Sequence, residues 1–224
     1  MFDMAIAMKR DRLTDFHQDH VGSGITQDYV AEFGRSVIES VVHKLGRTLS
    51  LHVHSQAKAV ETSLRLETFL VGLMSYSAGT FVRVAPELER DTYPSMLEFT
   101  RQVGNRWVPE GRNVVRVGAA RIAFVTAEQT TWLGSSVVDI GPDCLFEVVG
   151  ADRLSTDWFS NNIAPSTKAP GLTTVFIGID DSKPSLFRDV IFSNKDEETR
   201  DGVQRHFSVH VSTPTDKSLL PLAV

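Results

Sequence analysis

Histidine carries the first chemical signal in this chain. Six of the seven histidines fall in three close pairs, His17/His20, His52/His54 and His206/His210. On a strand, residues two apart point to the same side, so His52 and His54 can offer imidazole nitrogens to one metal ion. By the same count His206, Ser208 and His210 share a face. If the two strands lie in one sheet with those faces aligned, up to four imidazoles converge, a donor set suited to zinc, iron, copper or nickel. The competing reading is two half-buried strands whose polar faces meet water or another subunit.

A second constellation is basic. Arg101, Arg106, Arg112, Arg116 and Arg121 lie in one stretch with Trp107 and only Glu110 as an acid. Guanidinium forks suit phosphates, and an indole can stack on a base. Against a nucleic-acid role stand the net charge of −5 and the span of a helix end, a loop and two strands. Asp180-Asp181 and the run Asp196, Glu197, Glu198 and Asp201 read as solvated turns without calcium-loop spacing. Cys144 has no evident base nearby and reads as a small buried hydrophobe. There is no phosphate-binding glycine loop, dinucleotide fingerprint or nucleophile elbow.

The stretch from Gly46 to His54, a glycine followed by five residues and then H-x-H, resembles the opening of the first cupin motif. The chain then departs from the family's pattern. The expected Glu three or four residues later is absent, Glu61 comes too late, and no second motif follows. Nothing is carried over from that family.

The elements that must position these residues follow from periodicity. Residues 1–25 read as an extended arm. Thr26 to Leu45 carries an apolar stripe at steps of three and four, a helix. Residues 47–54 alternate as a half-buried strand. Residues 57–74 lean to a helix, 80–84 to a strand, and Pro94 to Val103 to a short helix entered at proline. Beyond Asn113, short β-branched runs at 114–117, 121–126, 136–140, 145–149, 173–179, 189–192 and 206–212 are punctuated by turn residues. Ser155 to Gly171 reads as a long loop. The expected fold is therefore α+β: the arm (1–25), a helical and mixed part (26–112), and a β-rich part (113–224) forming a mostly antiparallel, jelly-roll-like β-sandwich with the long helix packed on it.

With 42% hydrophobic and 23% charged residues the composition is that of a folded domain. A lone cysteine excludes an intramolecular disulfide. No apolar run reaches the ~20 residues of a membrane-spanning helix, and the opening residues do not form a signal peptide, so the chain is expected in the cytoplasm or in an assembled particle. The apolar residues of the arm and of Leu219–Val224 point to a non-enzymatic subunit of a homo-oligomeric assembly, such as a viral or phage-like coat component, docked through both ends. A metal-dependent enzyme built on His52/His54 and a phosphate- or nucleic-acid-binding module built on the arginines are the alternatives.

Overall fold

The computed structural model describes residues 26–74, 79–87, 91–110, 113–126, 144–167 and 169–209. Among the described residues five α-helices and eight strands follow in the order α1 (Thr26–Val42), β1 (Thr48–His52), α2 (Gln56–Met74), β2 (Thr80–Ala85), α3 (Tyr93–Val103), β3 (Trp107–Pro109), β4 (Val114–Val117), β5 (Ala120–Thr126), β6 (Cys144–Val149), α4 (Thr156–Asn162), β7 (Thr173–Gly178), α5 (Leu186–Asp201) and β8 (His206–Ser208). All the strands join one sheet in the order β3-β4-β5-β2-β6-β7-β1-β8. From β5 to β8 every pairing is parallel; only the β3–β4–β5 edge is antiparallel.

This overturns the antiparallel sandwich expected from the sequence. The chain is α/β, with helices on both faces of a mixed, mostly parallel sheet. The reason is physical: a strand covered on both faces is apolar throughout and loses the alternation that marks a one-sided sheet. Strands β6 and β7 are buried at every position. Parallel neighbours also need crossovers, and helices supply them. Residues 186–201, expected as a strand at 189–192 and then a turn, form α5. Its Ser185 side chain caps the first turn by accepting from the Arg188 N–H, and Gly202 (φ 72) ends it. The expected loop at 155–171 contains α4, capped by Ser155 in the same way. The arm, the strand expected at 136–140 and residues from His210 onward lie outside the described residues.

Two cores hold the layers. On one face Phe33, Val37 and Ile38 of α1, Leu70 of α2 and Phe99 of α3 pack on Leu49, Phe81, Phe124, Leu145 and Val175. On the other, Leu186, Phe187 and Ile191 of α5 pack with Phe146, Val148 and Phe176. Edge-to-face contacts of Phe33 with Phe207 and of Phe99 with Phe124, both with ring centroids 5.6 Å apart, fix helices to strands. Among the described residues no helix is long and apolar enough to cross a membrane.

Both sheet edges are finished by side chains. At one, Trp107, Val108 and Pro109 are exposed. The Glu110 N–H donates to the Val114 carbonyl (3.0 Å), so by alternation Val108 also turns to β4, while Trp107 and Pro109 face outward. Pro109 has no N–H there, which blunts the edge against pairing with another strand. Replacing Pro109 with Val restores the outward donor. The expected outcome is stronger concentration-dependent association in sedimentation velocity than for the natural chain; identical sedimentation of the two would contradict the blunting role.

Candidate functional site

Six parallel strands end at one edge, and the loops leaving β2 and β6 diverge. The chain leaves β2 for α3 on one face and leaves the adjacent β6 for α4 on the other. Such a divergence leaves a crevice at the carboxyl ends of the strands, where open α/β sheets hold their ligands.

The crevice is built from three loops. Ser55 opens α2 by accepting from the Lys58 N–H (3.2 Å), which sets Gln56 at the helix start. After β6, Gly150 adopts φ 74 and the chain turns through Ala151–Arg153. A β-carbon on Gly150 would lie 2.8 Å from an Arg153 nitrogen and 3.1 Å from Gln56 Nε2. Only glycine lets both side chains lie against this turn. Asp91, ahead of α3 and 2% exposed, accepts from Arg153 at 2.8 Å and from the Glu87 N–H at 3.2 Å. Glu87 approaches Arg153 at 3.4 Å. The Gln56 amide oxygen and nitrogen are both buried and without hydrogen-bond partners among the described residues, as is Arg153 Nε.

Beside this cluster a groove of about 430 Å³ runs between α2 and α3, lined by Gln56, Ala57, Val60, Glu61, Leu64, Asp91, Glu98 and Gln102. Its floor is apolar, and among the described residues its polar groups are two amides and three carboxylates, with no cation in the wall. Lys58, Arg65 and Arg101 hold Glu61 and Glu98 from outside (3.3, 2.7 and 2.6 Å), and the hydrogen bonds from Arg101 and Gln102 keep Glu98 well below the usual carboxylate range. Such exposed pairs are worth only ~0–1 kcal/mol and yield to a competing cation. A slightly larger cleft, about 500 Å³, lies at the opposite, amino edge between α4 and α5. Its lining comes from loops, strands and helices and exposes more polar than apolar surface, and its one charged residue, Glu197, is paired with Arg205 at 3.0 Å. The carboxyl-edge groove is the better site because it joins a cavity, unpartnered polar atoms and the strand ends.

The structure distributes the sequence candidates unevenly. β1 and β8 are neighbours, as the four-imidazole arrangement needs, with Ser50 opposite His206 and His52 opposite Ser208. Each histidine is spoken for by a serine: His52 Nδ1 to Ser208 Oγ is 3.1 Å and His206 Nδ1 to Ser50 Oγ is 3.0 Å. Ser50 is also hydrogen bonded to the buried Asn194 of α5 (2.8 Å). His54 lies beyond the end of β1 and is exposed, and His210 is outside the described residues. Among the described residues no group of three or more His, Cys, Asp and Glu side chains is placed to hold a metal ion. These pairs fasten the three-residue β8 to the sheet. Ser50, fully buried, is shut off from any substrate as a nucleophile.

Of the arginines, Arg116 and Arg121 are cross-strand partners on one face, and both reach Glu110 (3.8 and 2.6 Å). Arg101 is forked onto Glu98, and Arg106 donates to the Val103 carbonyl (3.1 Å). Arg112 is outside the described residues. Cys144 is buried. The groove residues carry no motif, so sequence reading missed them. Only the Ser55 cap marks where α2 begins and therefore where the crevice lies. No protein-family model matches the chain, and no curated protein does either.

Two measurements check this geometry. Burial, then the charge of Lys195, lowers His206 from 6.5 to about 4. Its neutral form is the one the fold holds, so its contribution is full above 6.5 and is lost as pH falls through 4. The His206 ring resonances should titrate near 4 by NMR, and His206→Asn should remove that part of the acid destabilisation; an ordinary titration near 6.5 contradicts it. Arg153→Met leaves Asp91 buried without its cation and should lower unfolding free energy by about 1–3 kcal/mol in urea.

Proposed function

We propose that this chain is a small-molecule-binding α/β module whose ligand lies in the α2–α3 groove at the carboxyl edge of the sheet. The observation that carries the reading is the Gln56 amide, buried without a partner among the described residues at the start of α2, where the loops after β2 and β6 diverge. A buried amide lacking hydrogen bonds is a cost of roughly 1–3 kcal/mol, which a ligand supplying a donor and an acceptor offsets once the Gln56 side chain turns from the Gly150 turn into the groove.

The wall selects the ligand's chemistry. Ala57, Val60 and Leu64 accept an apolar body, while the more exposed Glu61 and Glu98 favour a cationic head. A compact amine or guanidine on a short hydrocarbon chain meets both demands. Anions meet the Glu61 and Glu98 carboxylates and are disfavoured.

The homo-oligomeric assembly drawn from the sequence rests on the arm and the C-terminal tail, outside the described residues, and stays a separate proposal. The blunted β3 edge supports an assembly made through those ends over one made by pairing sheets.

Agmatine, with a guanidine and an amine on a four-carbon chain, is a suitable probe, and butyrate is its anionic contrast. Amide-resolved NMR titration should show agmatine shifting residues of the first turns of α2 and of 91–102, with butyrate leaving them unmoved. Gln56→Ala and Glu98→Gln should each weaken agmatine about tenfold, the ~1.4 kcal/mol of one polar contact. Shifts confined to other surfaces, or equal responses to both probes, would refute the assignment.

A further inference from the structure

Three ionisable side chains occupy the α2–sheet interface, where its neighbours are apolar. Arg83 of β2 and Glu147 of β6 stand opposite each other in the register. Ser63 and Glu67 of α2 meet them. Arg83 is 2% exposed, Glu67 and Glu147 1% each, and Ser63 is fully buried. Burying an unbalanced ion costs several kcal/mol, so charge must balance inside the cluster. One guanidinium faces two carboxyl groups, with Arg83 Nε 3.5 Å from Glu67 Oε1. The charged groups acting on Glu147 are Glu67 from α2 and Arg83 from β2; its partner on β7, Val175, is apolar.

The hydroxyl of Ser63 makes the proton count. Its Oγ lies 3.2 Å from Glu67 Oε1 and 3.1 Å from Glu147 Oε2. A hydroxyl has a single hydrogen. It serves one carboxylate, and the second contact is favourable when that carboxyl carries a proton and donates to Ser63 Oγ. Burial, then the charge and hydrogen bonding of Glu67, raise Glu147 well above the usual carboxylate range, against the opposing pull of Arg83 and Ser63. The cluster is neutral when Glu67 and Glu147 hold one proton between them beside the Arg83 guanidinium.

We propose that Glu67, Arg83, Glu147 and Ser63 form a proton-linked latch that fastens α2 to the β2–β6 pair and releases it when the shared proton is lost. Loss of the proton places a second buried negative charge beside Glu67, and the relief open to the fold is for α2 to lift and admit water. The inference stands whatever occupies the groove at the start of the same helix. The sign follows from linkage: a carboxyl held above its unfolded value stabilises fully below that value, 4.5, and the contribution disappears as pH rises through the folded one.

The test is urea unfolding of the whole chain from about pH 5 to about pH 9, natural against Glu147→Gln. The natural chain's midpoint should fall across that interval relative to the variant's, and Glu147→Gln should be the more stable of the two at the alkaline end. Parallel profiles overturn the latch. Infrared spectroscopy of the natural chain at neutral pH keeps the test decisive if the variant does not fold. A protonated-carboxyl band present in the native protein and lost on unfolding supports the latch, and a native spectrum without it overturns it.

Discussion

A parallel sheet covered on both faces imposes the constraint on which the rest of this molecule depends. Strands running the same way must be joined by crossovers, so the helices between them start at the carboxyl edge and return to the amino edge. That places the first turns of α2, α3 and α5 together at one end of the sheet. It also forces the loops after β2 and β6 apart, because their helices lie on opposite faces. The groove is a product of topology before any side chain is considered.

Side chains then decide what the topology can be used for. At the carboxyl edge, Asp91 and Glu87 hold Arg153 across the divergence, and Gly150 gives Arg153 and Gln56 room to lie together. In the interior, Glu67, Arg83 and Glu147 place opposite charges inside a layer that Phe81, Leu145 and Val175 make apolar. Such a cluster adds little net stability over a hydrocarbon replacement; what it adds is dependence on a proton. At the sheet's margins, Pro109 removes an outward donor, while His52 and His206 tie β8 to β1 through serines. His52 and His206, one member of each expected metal-ligand pair, thus serve as staples between these two strands.

Much of the element list was legible in the sequence. The stripe of α1, the helix at 57–74, the proline-entered α3 and the runs that became β4, β5, β6 and β7 all appear close to where periodicity put them. The architecture was not legible, for two reasons. Buried parallel strands have no alternation to reveal their neighbours, and α5 is so polar from Asn194 to Asp201 that its buried Leu186, Phe187 and Ile191 read as isolated. Its signals were present in Ser185 and Gly202, a capping serine and a terminating glycine. The latch was visible too: Arg83 within Phe81-Val82-Arg83-Val84 and Glu147 within Leu145-Phe146-Glu147-Val148 are single opposite charges in otherwise apolar strands. The groove residues come from two helices and a turn distant in sequence, and no local pattern joins Gln56 to Asp91 and Arg153.

The central claim is that the carboxyl-edge groove, and not the larger amino-edge cleft, is where this fold takes a ligand. A crystal structure of the chain soaked with agmatine tests it most directly. The account predicts density between α2 and α3, with the ligand's nitrogens on Gln56 and the carboxylates of Glu61 or Glu98. Density seated instead between α4 and α5, against Phe159, Phe176 and Val190, would contradict it.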